Sequence, residues 1–421
     1  MRKEVHLIVR LAVIAASVGT VLSAAAPAAA WAPQRLFTGG DFFQQTVALA
    51  QNTRGDAAVV FQDLRAVRLA VARSGHRFSR PRRVPGSRGG ANARVAIDEQ
   101  GDVLVAWEYD DGTAPEVPED RDSGCCVGVR MTVRDGRSGH FRRVQRLTPT
   151  GHDIILGDMA INHGRVALGW SEGASRVRAR FAGRHRRLGK TGSVRGYGEV
   201  EGVAASRTGA TVTYAHYSSS STSVREFHLT RGGHVARRRT VLAGLPEFEE
   251  VALATNRRGD QALSWGGDLE ALRVGVRRRG GRFHLRRVAE GRVQLAKLAI
   301  ASSGAAVAAW RTRSNRLMVT ARRPGHRFGR PRHFATGRID DSDIAVAVND
   351  AGRAVIAWER RRGVVAAFRS PAGRALSRHR VGPGFVEDGS HTAAIDARGG
   401  ARLVWEDLEH VRAARGRYPR R

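Results

Sequence analysis

The chain is short of several things that would define other kinds of protein. Two cysteines in 421 residues leave no room for a disulfide-stapled scaffold or a cysteine-ligated zinc module. Only three lysines occur (Lys3, Lys190 and Lys297), so nearly all of the 71 basic residues are arginine. Acidic residues number 39, which leaves a formal net charge of +32. Aromatics make up 6% and proline 13 residues, a composition unlike collagen or a proline-rich linker. After residue 30 no apolar run approaches the ~20 residues that span a bilayer. No later segment sustains a helical period either. Helix-turn-helix, zinc-finger and RNP patterns are all missing, which argues against sequence-specific nucleic-acid recognition. What remains is 42% apolar, enough for a large core.

The first thirty residues read as a secretory signal. Arg2, Lys3 and Arg10 are basic, Leu11 to Leu22 is apolar, and Ala28, Ala29 and Ala30 are small residues ahead of Trp31. Cleavage there removes three positive charges and one negative (Glu4), leaving 68 against 38, or +30. The expectation is an exported protein of residues 31–421 with no membrane-spanning segment once the signal is removed.

The remainder is a repeat. Ala93 to Trp107 and Asp343 to Trp358 share one pattern: an alternating apolar run, a glycine-bearing turn, then a second apolar run ending in tryptophan. That terminal aromatic recurs as Phe61, Trp107, Trp170, Tyr214, Trp265, Trp310, Trp358 and Trp405, at steps of 46, 63, 44, 51, 45, 48 and 47 residues. Two further strand-like runs follow in each unit, such as Val67 to Ala72 and Phe78 to Val84, or Leu317 to Ala321 and Phe328 to Phe334. Period-two alternation between glycine-centred turns reads as strands. Four strands per ~45 residues is a β-propeller blade. The prediction is all-β: a single propeller of eight four-stranded antiparallel blades (seven if the degenerate third or fourth unit fails). Trp31 to Leu36 resembles an outer strand without inner partners, while the eighth unit ends soon after Tyr418. The N-terminal strand should therefore complete the last blade and remove the open sheet edges.

The units resemble the secreted bacterial propellers related to sialidases, which carry BNR or Asp-box repeats, over essentially the whole chain after the signal. The family's Ser-x-Asp-x-Gly-x-Thr-Trp turn is matched at its glycine and aromatic by Gly75 and Phe78, Gly280 and Phe283, and Gly325 and Phe328. The aspartate position is Arg73, Arg278 or Arg323 instead, so the defining box is lost. The resemblance implies the propeller fold and work outside the cell. Sialidase activity would need three arginines and a Tyr/Glu pair. The family's early Arg-Ile-Pro-type motif could be matched only by Arg35-Leu36, followed by Phe37 rather than proline and placed on an outer strand, while Tyr197 with Glu199 could imitate the Tyr/Glu pair. A carbohydrate-active hydrolase is the alternative to a non-catalytic binding or scaffold module.

Charge placement points to the sites. In an up-and-down blade, first-to-second and third-to-fourth turns share one face, which we call the turn face. Second-to-third loops and crossovers share the other, which we call the mouth. Of the 38 acidic residues after the signal, 29 are assigned by spacing to the mouth, Asp158 among them, so the ring should be electrically polarised. Glu108, Asp110, Asp111, Glu359, Glu406 and Asp407 follow strand-ending aromatics there and are the expected contacts for a protein or glycan ligand. Asp340, Asp341 and Asp343 offer hard oxygen ligands of the kind Ca²⁺ takes; no other cofactor is expected. Cys125 and Cys126, in an acidic insertion of the second unit, are expected to form a vicinal disulfide in an oxidising compartment. Arginine crowds the outer strands: Arg80, Arg82, Arg83, Arg286, Arg287, Arg330 and Arg332 should form a basic rim able to hold an anionic cell-surface polymer. A monomer is expected.

Overall fold

The computed structural model describes residues 31–38, 47–63, 65–109, 128–148, 154–183, 187–196, 198–218, 221–245, 251–266, 271–290, 293–335, 344–360, 363–371, 375–383, 391–407 and 410–419. Among them the strands form eight separate four-stranded antiparallel sheets. Blade 1 occupies 48–88, blade 2 90–146, blade 3 154–195 and blade 4 198–245. Blades 5, 6 and 7 occupy 251–287, 293–335 and 345–382. Blade 8 takes three strands from 391–417 and its outer strand from Ala32–Thr38, which pairs antiparallel with His410–Arg417. The expected ring closure is therefore present, and the count is eight. A single 3₁₀ turn, Gly173–Ser175, is the one helical element among the described residues.

The aromatic repeat has a packing reason. Eight apolar clusters are present, one between each adjacent pair of blades including 8 and 1. Each holds one repeat aromatic: Phe61 lies between blades 8 and 1, Trp107 between 1 and 2, and so on to Trp405 between 7 and 8. All eight rings are at most 5% exposed. Room for them is built into the backbone: a Cβ on Gly382 would meet the Trp405 ring at 2.5 Å. The second strands are buried along most of their length, and Val103–Tyr109 along all of it. Both of their faces pack on neighbouring sheets, so they read as continuous apolar runs rather than alternating ones.

Polar side chains finish the joints. Asn52, Asp98, Asn256, Asn349 and Asp396 begin first-to-second turns and are buried. The side-chain oxygen of Asn256 accepts from the amides of Arg258 (2.9 Å) and Asp260 (3.0 Å), closing a turn in which Gly259 sits at φ +83°. Its Nδ2 donates to the carbonyl of Ala301 in the next blade at 2.8 Å. Asn52 reaches Asp98 in the same way at 3.0 Å, and Asn349 reaches Asp396 at 2.8 Å. The aspartate after the glycine (Asp56, Asp102 or Asp260) accepts an amide from its own blade's third-to-fourth turn. These first-turn carboxylates thus satisfy backbone donors that burial would leave costly.

Two details correct the sequence reading. Outer strands begin later than spacing suggests, at Arg82 rather than Phe78 and at Arg332 rather than Phe328. Phe78 and Phe328 are buried plugs of the third-to-fourth connection, and Pro81 and Pro331, lacking an N–H, delay the ladder. Asp158 does not lie in a crossover. It sits in the innermost strand Ile154–Asn162, at a bulge between Leu156 and Met159 that lengthens the strand toward the mouth.

Candidate functional site

At the mouth, packing has engaged several of the expected ligand carboxylates. Glu108 closes blade 2 onto blade 3: its Oε1 accepts from the Leu156 amide at 2.7 Å and its Oε2 from Asn92 Nδ2 at 2.6 Å. Asp407 accepts from Arg412 and lies 2.9 Å from His410 Nδ1, tying its own hairpin together. Asp63 with Arg68 and Glu172 with Arg178 repeat that hairpin pair in blades 1 and 3. Glu359 is buried and also has a partner. Glu406 stands apart. Its Oε1 is buried with no hydrogen-bond partner, and burial pushes its pKa up to about 8. Asp110, Asp111, Asp340, Asp341, Asp343, Cys125, Cys126 and Tyr197 lie outside the described residues, so the insertion, the Ca²⁺ expectation and the disulfide do too.

Deeper in, the innermost strands of blades 3 and 4 bring Asp158, Glu199 and Glu201 together. Burial, then the neighbouring Glu199 and Asp158 charges, raise Glu201 to about 7. Burial raises Asp158 to about 6, opposed by the amides of Val203 and Met159 and the charge of Arg94. Toward the turn face, Arg257 of blade 5 bridges to blade 2, pairing with Glu99 and donating to the Ile97 carbonyl at 3.3 Å. Thr53 of blade 1 also binds Glu99 through its hydroxyl, at 2.7 Å. Three blades are thus tied across the axis at this end.

The seven arginines of the predicted rim are all exposed. Arg82, Arg83, Arg286, Arg287 and Arg332 lie in outer strands, and Arg80 and Arg330 immediately precede them. Arg286 is partly committed, since its Nη1 donates to the Phe328 carbonyl of blade 6. Arg287 has an exposed partner in Glu290 at 3.8 Å. Exposed arginines continue the band on other blades: Arg143 and Arg146, Arg195, Arg237 and Arg238, Arg378 and Arg380, and Arg35. That position also keeps Arg35 away from any central site.

Spacing gave no sign of a cavity of about 1100 Å³ on the turn face, between blades 6, 7, 8 and 1. Both ends of the ring closure border it: Ala32 of the outer strand, and Arg417, Tyr418 and Pro419 after the third strand. In seven blades a hairpin links third and fourth strands. Blade 8 joins strands from opposite ends of the chain, and the cavity lies where its hairpin would be. Six arginines line it (Arg323, Arg353, Arg398, Arg402, Arg415 and Arg417) against one carboxylate, Asp396. Asp396 Oδ1 is taken by the amides of Arg398 (2.8 Å) and Gly400 (2.7 Å). Arg402 is 2% exposed. Its Nη2 donates to the carbonyls of Arg73 (3.1 Å) and His76 (2.9 Å), and its guanidinium stacks 4.8 Å from the Phe78 ring centre. Burial, and then the charge of Arg415, lower its pKa to about 10. The repeat shows the local charge change but not the cavity: where blades 1, 2 and 5 have an aspartate after the turn glycine, blades 7 and 8 have Arg353 and Gly400.

No family model and no curated protein matches the chain. Solved structures do. Prolyl oligopeptidase B from Galerina marginata is similar at 9% identity and a TM-score of 0.49, over 87% of this chain and 56% of that one. The WD40 domain of Toxoplasma gondii coronin is similar at 10% and 0.45, over 93% and 87%. A Hadza microbial sialidase is similar at 11% and 0.41, over 88% and 65%. Against a second prolyl endopeptidase, this chain spans 45% of the other's length.

Proposed function

We propose that the chain is a non-catalytic binding propeller that works outside the cell, as a monomer, and holds an acidic polymer on its basic rim. The observation that carries this reading is the exposed arginine band on the outer strands. A flat guanidinium binds sulfate, phosphate or carboxylate through paired N–H donors, and many such contacts along one edge suit an extended polyanion better than a small ligand. The band also deters edge-to-edge sheet pairing, and its arginines follow a preference over lysine that runs through the whole chain. Export through Met1–Ala30, kinship with the sialidase-related propellers, and Ca²⁺ at Asp340, Asp341 and Asp343 belong to the same proposal. So does a protein or glycan ligand at the mouth, where Glu406 is the described carboxyl with spare bonding capacity.

Heparin chromatography tests the rim. Changing Arg80, Arg82, Arg83, Arg287, Arg330 and Arg332 to alanine should lower the eluting salt concentration clearly, with the circular dichroism spectrum unchanged. Elution at the parent's salt concentration would remove the rim from the proposal. A screen on chromogenic glycosides, with and without Ca²⁺, separates this binding role from a hydrolase.

A further inference from the structure

We propose that the cavity at the ring closure is a saturable site for a compact, multiply charged anion, a molecule or chain end bearing two or more phosphate, sulfate or carboxylate groups close together. This site is separate from the rim. The rim is a diffuse surface, whereas the cavity is a concave site lined by four blades and both strands of the closure.

Three independent observations support it. The first is charge imbalance: six guanidinium groups share about 1100 Å³ with a single carboxylate, which already caps its own turn. None of the six arginines forms an ion pair among the described residues. Elsewhere in the ring, buried or half-buried arginines such as Arg277 and Arg412 do pair with carboxylates. Like charges gathered around one cavity repel one another, and a bound anion relieves that repulsion. The second is Arg402, nearly fully buried, with its Nε unpartnered and carbonyls, not carboxylates, as its hydrogen-bond acceptors. The charges of Asp396 and Asp56 only partly offset its burial, and a buried cation with no directly paired carboxylate is costly. The third is departure from the repeat. The aspartate that would neutralise this corner is replaced by Arg353 and Gly400, and the hairpin that would fill it is missing. The volume lies just above the roughly 300–1,000 Å³ usual for small-ligand pockets. Tyr418 and Pro371 add apolar surface, with Arg353 stacked 4.9 Å from the Tyr418 ring centre.

Because the walls come from both strands of the closure, an anion held here bridges the two ends of the ring. It binds the closed form and not the open one, and should raise the melting temperature by mass action.

Calorimetric titration with tripolyphosphate, and separately with a fully sulfated tetrasaccharide, tests the site. Saturable binding at one per chain by either probe, with a rise in melting temperature, is the expected result. Binding of both means clustered charge suffices; binding of the sugar alone means the apolar wall at Tyr418 contributes. The double variant Arg398→Ala, Arg417→Ala changes exposed side chains and should weaken that binding at least tenfold while leaving heparin retention close to the parent's. Arg402→Lys keeps the charge but loses the planar fork, and should weaken binding too. The six-fold rim variant should still titrate normally, so failure of the rim reading is seen separately. Absence of saturable binding by either probe, or equal affinity in the Arg398/Arg417 variant, overturns the proposal.

Discussion

At the scale of single residues, position in the ring decides what a carboxylate does. Glu108 and Glu406 both follow a strand-ending tryptophan and look equivalent in sequence. Glu108 finds the Leu156 amide and Asn92, whereas Glu406 keeps a buried oxygen without a partner. The consequence is a pH effect with a definite sign. An unfolded glutamate titrates near ~4.3, and Glu406 in the fold near about 8. Between those values the folded chain holds a proton that the unfolded chain has released, so stability falls as pH rises across that window and levels off above it. Glu201 and Asp158, raised to about 7 and about 6, act in the same direction. Glu406→Gln should flatten the decline in urea midpoint between pH 5 and 8; an unaltered pH profile would mean that Glu406 ionises normally. The mouth position of Glu406 could be read from spacing, but its isolation could not, because that depends on which amide the next blade presents.

At the scale of elements, the outer strand of blade 8 is the least local part of the fold. Ala32–Thr38 pairs with His410–Arg417, and Gln34 exchanges two hydrogen bonds of 2.9 Å with the main chain of Phe78 in blade 1. Trp31 stacks on Phe368 of blade 7 at 5.6 Å. One strand thereby fastens blade 8 to both neighbours. Gln34→Ala should speed amide exchange in Ala32–Thr38 and His410–Arg417 while blades 3 to 5 keep the parent's protection, as read by mass spectrometry. Uniform acceleration would show that the strand is no separate unit. The strand's role was legible because its sequence matches outer strands and it lacks inner partners. Its cavity was not legible: a gap left by an absent hairpin has no residues of its own.

At the scale of the whole molecule, stability is shared around the circle because every blade contributes to two interfaces. Trp310 is 1% exposed between blades 5 and 6, and its loss leaves a void that neighbouring rigid sheets fill poorly. Trp310→Ala should cost about 3–5 kcal/mol and lower the urea midpoint of a single transition. A separate early transition would mean that the blades unfold independently. The interface between blades 4 and 5 departs from the rule. Its buried apolar set is Val224, Leu245, Leu263 and Trp265, and it is supplemented by Glu226, which accepts from both Arg239 and Arg277.

The sequence by itself determined the blade, the number of blades and the way the ring closes. All three are written in local periodicity: alternation marks strands, glycine marks turns, and an aromatic every ~45 residues marks one interface per unit. It also determined that arginine would stand on the outer strands, because alternation assigns each residue to a face. Only the tertiary structure decided which charged groups neutralise one another. Glu99 meets Arg257 of a blade 158 positions further on, and six arginines from blades 6, 7 and 8 line one cavity with a single carboxylate. Electrostatic partnership depends on distance in space, and a ring brings together residues that no local pattern relates.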